Sequence, residues 1–142
     1  MRYKDGTVYT GMWDDGKRSG HGCAQYPEGD RYEGNFSNDK RSGPGVYTFA
    51  SLGVFTGTFV DGHPAGQGVF VYHDGRRYEG GFKRTRFQGP AVIYYPNGDR
   101  YEGIFEDDNG KGWLIHPDGT RESGRHEKDT YIPDPTLFDD LQ

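Results

Sequence analysis

The residues of this chain that could do chemistry are few and scattered. They are five histidines (His21, His63, His73, His116 and His126), one cysteine (Cys23) and acid pairs such as Asp107-Asp108. A metal centre needs such ligands at close, regular spacing, and the histidines show none with Cys23. Catalysis needs an activated group, yet each candidate falls in a column of aligned positions filled by inert residues. His21 stands between two glycines where the matching positions are Pro44, Gln67, Pro90 and Lys111. His116 matches Tyr26, Phe49, Tyr72 and Tyr95, which reads as a packed ring, and Cys23 matches Val46, Val69, Val92 and Trp113, which reads as half-buried filler. The Gly-x-Gly triplets lack the strand-to-helix setting of a phosphate loop. The sequence therefore assigns no catalytic, cofactor or metal residue, and a non-enzyme is expected.

Two other columns point to binding. Lys17, Lys40, His63 and Arg86 lie 23 residues apart, with Arg18 and Arg41 beside the first two. Lys17, Arg18, Lys40, Arg41 and Arg86 could form a basic rim for anionic phospholipid or an acidic segment. The second column is aromatic. Tyr47, Phe70, Tyr72, Tyr94 and Tyr95 vary from copy to copy and are the candidates for gripping a helical or extended protein segment along a groove. Glu33, Glu79 and Glu102 form an acidic column against the basic one, and 17 basic against 22 acidic residues leave a net charge of −5. That balance argues against nucleic acid as a partner.

These columns exist because the chain repeats. Tyr9-Thr10-Gly11-Met12-Trp13 recurs as Tyr32-Glu33-Gly34-Asn35-Phe36, Phe55-Thr56-Gly57-Thr58-Phe59, Tyr78-Glu79-Gly80-Gly81-Phe82 and Tyr101-Glu102-Gly103-Ile104-Phe105, each step being 23 residues. Behind each phrase come a turn pair (Asp15-Gly16, Asn38-Asp39, Asp61-Gly62), a Gly-x-Gly or Gly-Pro-Ala triplet and a short aromatic or β-branched run such as Val46-Tyr47-Thr48-Phe49. Runs of this length bounded by glycine read as strands, and the turn pairs supply positive φ for tight reversals. Gly110-Lys111-Gly112 arrives two residues early, so the fifth loop is shorter. Each unit is thus a β-hairpin, marginal alone and stabilised by stacking on its neighbours. Ten strands would make a twisted sheet roughly 45–50 Å long. In-strand glycines would let a neighbouring hairpin's ring lie against backbone, or let the sheet bend.

Composition agrees with so thin a fold. Of 142 residues 31% are apolar and 24 are glycine, yet 15% are aromatic. Burial must then rest on Tyr and Phe rather than on a thick aliphatic core. One cysteine excludes an intramolecular disulfide, and no apolar run has the length of a signal or membrane segment, so a cytoplasmic protein is expected.

The phrase, the Gly-x-Gly triplet and turns such as Pro96-Asn97-Gly98 closely resemble the MORN repeat (membrane occupation and recognition nexus), a family of 23-residue hairpin units, over residues 5 to 119. The resemblance implies an all-β fold, an elongated, twisted single antiparallel sheet of tandem hairpins. It also implies a scaffold or protein-interaction module of cytoskeletal, ciliary or membrane-associated assemblies, at the inner face of a membrane in the last case. Tyr9, Trp13, Tyr32, Phe36, Phe55, Phe59, Tyr78, Phe82, Tyr101 and Phe105 would be its repeat scaffold. Phe55 replaces Tyr, Leu52-Gly53 shifts its turn, and further on Arg84-Thr85 stands where a glycine turn is usual, so a local irregularity or bend is expected at the third unit. The array is placed at 1–126, with five full units and a partial unit at each end, Glu122 and His126 making a polar cap. Residues 127–142 are an acidic, proline-containing tail in which Tyr131–Pro135 is extended and Leu137, Phe138 and Leu141 form one apolar turn, folding back on the last hairpin or docking elsewhere. The opening Tyr3-Lys4-Asp5-Gly6 resembles the end of a missing unit. An exposed first edge would invite a homo-oligomer through edge hairpins, or mark a fragment of a longer array.

Overall fold

The computed structural model describes residues 1–127 and 130–139 and contains one antiparallel sheet with its strands in strict chain order. The five units pair β1 (Val8–Asp14) with β2 (Lys17–Gln25), β3 (Arg31–Ser37) with β4 (Lys40–Phe49), β5 (Gly53–Val60) with β6 (His63–Tyr72), β7 (Arg77–Lys83) with β8 (Arg86–Tyr94), and β9 (Arg100–Glu106) with β10 (Asn109–Ile115). β11 (Arg121–Glu127) and β12 (Thr130–Pro133) extend the sheet to twelve strands rather than ten. The described residues include no α-helix.

Each unit reverses through a two-residue turn with both φ angles positive, from Asp15 (50°) and Gly16 (78°) to Asp107 (48°) and Asp108 (71°). This is the twist-matched hairpin turn that Asp, Asn and Gly favour. The 23-residue period contains more than a plain hairpin. In the first, second and fourth units one residue (Met12, Asn35 or Gly81) faces three on the second strand. The glycine of that bulge, Gly20, Gly43 or Gly89, sits at φ 72° to 83°, where a Cβ would be strained. β9 and β10 pair without a shift, and this missing bulge accounts for the two residues the fifth unit lacks.

A line of small residues crosses the sheet at right angles to the strands. Gly11, Gly22, Gly34, Gly45, Gly57, Gly68, Gly80, Ala91, Gly103, Gly112 and Gly124 are successive cross-strand partners. Rings lie directly on this line. A Cβ on Gly22, Gly45 or Gly68 would come within 2.6 Å of a ring carbon of Tyr9, Tyr32 or Phe55 respectively. The ring belongs to the same hairpin, not to a neighbouring one as expected. In the bulged units the tyrosine hydroxyl continues across the glycine and donates to the carbonyl opposite the bulge: Tyr9 to Met12 (2.8 Å), Tyr32 to Asn35 (2.7 Å), Tyr78 to Gly81 (2.7 Å). In the third unit Thr58 is itself paired, with Ala65, and the residue is Phe55, which has no hydroxyl to place.

The scaffold rings form one zigzag on the front face. Tyr9 meets Trp13 and Phe36, Tyr32 meets Phe36 and Phe59, Phe55 meets Phe59 and Phe82, and Tyr78 meets Phe82 and Phe105, all edge to face with centroids 4.7–5.5 Å apart. Each such pair adds about 0.5–1.5 kcal/mol beyond the area buried. Trp13, at the end of the row, stays 42% exposed.

Both end hairpins receive further contacts from the chain. Arg2 bridges Val8, and Tyr9 donates its N–H to the Met1 carbonyl, so the start of β1 is covered and the expected bare edge is partly closed. At the other end His126 is 1% exposed and packs 5.7 Å from Tyr101 and from Phe105, an aromatic in the scaffold row rather than a polar cap residue. Glu122 leaves the tyrosine place empty, and Tyr131 of β12 supplies it, its ring lying on Gly124 and 5.8 Å from Tyr101. The boundary expected at 126/127 falls inside β11, whose last residue, Glu127, pairs with Thr130 of β12. Beyond β12 the chain turns over the back face, where Phe138 stacks on Trp113 at 5.1 Å and Ser123 donates to the Asp134 carbonyl. Leu141, the third member of the expected apolar turn, lies outside the described residues.

Candidate functional site

Strand alternation sorts the candidate residues onto faces. Tyr47, Phe70 and the buried Ile93 pair directly with the scaffold rings Tyr32, Phe55 and Tyr78 and share the front face. Tyr72 follows two residues after Phe70 on that face, 5% exposed and under the Arg76 guanidinium at 4.2 Å. The Tyr95 hydroxyl is buried with no hydrogen-bond partner among the described residues, and burial pushes its titration upward. Tyr94, pairing with Arg77, turns to the back face and lies beneath that guanidinium at 4.7 Å. The acidic column is also on the back. Glu33, Glu79 and Glu102 sit 2.9–3.7 Å from Arg31, Arg77 and Arg100, two residues earlier on the same strands, so it balances a second arginine column and does not oppose the rim.

The rim residues divide. Arg18 and Arg41 pair with Trp13 and Phe36 and therefore reach into the front face. The Arg18 guanidinium lies over Phe36, Tyr3 and Tyr9 at 5.2–5.8 Å, and its Nε bonds Asp39 Oδ1 at 2.6 Å. Arg41 spans further. Its Nε and Nη2 donate to the Gly62 carbonyl (3.0 and 2.6 Å), its Nη1 to the Tyr26 hydroxyl (3.3 Å), and Tyr47, Phe59, Tyr26 and Tyr32 surround it at 4.8–5.9 Å. Tyr47 donates to Asp30 (3.0 Å), and burial together with that bond pushes its titration up to about 12. Lys17 donates to Asn38 at 3.0 Å. Lys40 lies at a recess of about 250 Å³ beside both arginines, while Arg86 stands exposed at the mouth of a larger cleft.

That cleft is where the column changes residue type. Arg18 and Arg41 are followed, 23 residues apart, by Pro64 and Phe87. Phe87 fills its own place, stacked on Tyr78 at 3.7 Å. Pro64 is too short to cross the face, and a cleft of about 560 Å³ opens above it, walled by Phe49, Phe55, Phe70, Tyr72, Phe82 and Phe87. Thr85, Arg86, Asp107 and Asp108 stand at its rim. Of the five groove candidates, Phe70 and Tyr72 line this cleft, Tyr47 lies under Arg41, Tyr95 is set further along and Tyr94 is on the other face. Phe49, Pro64 and Phe87 were not singled out from the sequence, although the 23-residue column that holds Pro64 and Phe87 was open to reading.

Among the described residues no group of three His, Cys, Asp or Glu could hold a metal ion, and His116 is engaged with Asp99 at 2.9 Å, which raises its titration. A family model described as the MORN repeat matches five consecutive stretches, residues 9–31, 32–54, 55–76, 78–100 and 101–121. No curated protein matches the chain.

Proposed function

The chain belongs to the MORN-repeat family, a repeat-built interaction module, and from that premise we propose a non-catalytic scaffold that takes up a segment of a partner protein along its aromatic front face. The observation that carries this reading is the 560 Å³ cleft at the third unit, where Phe49, Phe55, Phe70 and Phe82 wall an open space instead of surrounding one of the chain's own guanidinium groups. An aromatic-walled pocket of this kind is what an anchor side chain needs. A post in a cytoskeletal, ciliary or membrane-associated assembly is part of this proposal, and the family alone supports it.

Lipid binding through the rim is the weaker reading, because Arg18 and Arg41 turn inward onto rings and turns. The two part experimentally. A photo-crosslinking residue at Leu52, 44% exposed on the cleft wall, should give a discrete protein adduct in cell extract that unlabelled protein competes away. The same group at Thr56 on the back face should give none. Equal adducts from both positions, or none from Leu52, defeat the groove reading. Sedimentation with phosphoinositide liposomes that is lost in Lys17→Glu/Lys40→Glu/Arg86→Glu protein would move the function to the membrane.

A further inference from the structure

We infer that the cleft above Pro64 is an arginine socket whose arginine comes from the partner, so that the segment bound is one carrying an arginine side chain. This rests on the groove reading and names its occupant. The argument is a comparison of the chain with itself. The rings around Arg41 are Tyr26, Tyr32, Tyr47 and Phe59. Moving each by one repeat gives Phe49, Phe55, Phe70 and Phe82, and all four wall the cleft. The same step converts Arg41 into Pro64 and Gly62, whose carbonyl accepts two of Arg41's N–H groups, into Thr85 at the cleft's rim. The turn backbone repeats too. Gly62 donates its N–H to the Arg41 carbonyl at 3.0 Å and Thr85 to the Pro64 carbonyl at 3.1 Å, so the Thr85 carbonyl is set as the Gly62 carbonyl is. The cleft is therefore the second unit's guanidinium site, with ring walls and acceptor kept and the guanidinium removed.

Charge selects the visitor. One repeat back from Asp107 and Asp108 stand Arg84 and Thr85, and one back from Arg86 stands His63, so the site has lost the guanidinium held among its rings and gained two carboxylates against one arginine at its rim. Asp108 Oδ1 accepts the Phe87 N–H at 2.7 Å, and Arg86 is the cation that faces them. A phenyl anchor would fill the walls but leave the acceptor and the acids unused. A planar guanidinium stacks on rings and bonds the carbonyl together, which a lysine ammonium does less well.

The test is an NMR titration of the full chain with N-acetyl-arginine methylamide, its lysine and phenylalanine counterparts as further probes, reading the amides of Phe70 and Thr85. The arginine probe should give saturable shifts, and lysine should bind about tenfold more weakly. Pro64→Arg, which fills the site from within as Arg41 does, should abolish them, while Pro64→Ala keeps them. Because Pro64→Arg could disturb the fold, Asp107→Asn at an exposed residue gives a second readout, a weakening of about threefold. If phenylalanine saturates the site and arginine does not, the arginine assignment is wrong and the groove reading stands. If no probe saturates while the Leu52 crosslink persists, the socket falls alone. If the crosslink is also absent, both fall.

Discussion

The second and third hairpin units share a period, a glycine line and four ring positions, yet one is closed and the other open. In the second, Arg41 reaches from one side of the glycine line to Tyr26 and Tyr47 on the other and is tied to the next turn through Gly62. In the third, Pro64 and Phe55 replace the long cation and the hydroxyl-bearing ring, and a cleft remains. The difference teaches that in this array the shared columns build the walls, and a single variable position decides whether a unit is structure or site.

The largest effect should come from the glycine line, where the two units can be broken in parallel. Gly45→Ala drives a methyl into the Tyr32 ring, which is fully buried and hydrogen-bonded to Asn35, and should lower unfolding free energy by about 3 kcal/mol. Gly68→Ala meets the Phe55 ring at the same 2.6 Å, but that ring borders an open cleft and can shift, so about 1 kcal/mol is expected. Urea denaturation midpoints check both, and equal losses would mean that the cleft gives its walls no freedom.

Next in size is Arg41→Ala, which turns the second unit into a copy of the third. It removes two hydrogen bonds to Gly62 and a guanidinium from among four rings, and should destabilise by about 2 kcal/mol. It should also create a second site for the arginine probe, doubling the bound stoichiometry in the titration. The smallest change concerns the turns. Asp61-Gly62 adopts positive φ easily, whereas Arg84 and Thr85 are held at 49° and 74°, a conformation hostile to a β-branched residue. Arg84→Asn/Thr85→Gly should raise stability by about 1 kcal/mol in the same denaturation series. Binding of the arginine probe should persist, because the Thr85 carbonyl stays.

The hairpins could be read from the letters because local rules suffice for them: ring-x-Gly-x-ring puts both aromatics on one face, and Asp-Gly at a fixed offset makes the turn. The same rules could not show that Tyr94 and Tyr95 serve opposite faces, since adjacent residues alternate and only the pairing with Arg77 fixes which way. Nor could they show that Arg18 and Arg41 lie among rings, because a cation beside a turn has the letters of a solvated rim. Tyr131 was hidden for another reason. It falls outside the period, and only the register of β12 on β11, with Tyr131 opposite His126, sets its ring on Gly124.

The sequence by itself determined the repeat, the hairpins, the order of the strands and the identity of every column, because each follows from spacing and from what a residue type permits its own backbone. Tertiary structure alone decided which columns meet across the glycine line, which cations are drawn inward and where one short residue leaves room. The contacts that join one hairpin to the next, such as Arg41 with Tyr26 and Gly62 or Tyr32 with Phe59, link residues 15 to 27 positions apart; they are set by how neighbouring hairpins stack, and no residue's own preferences encode them.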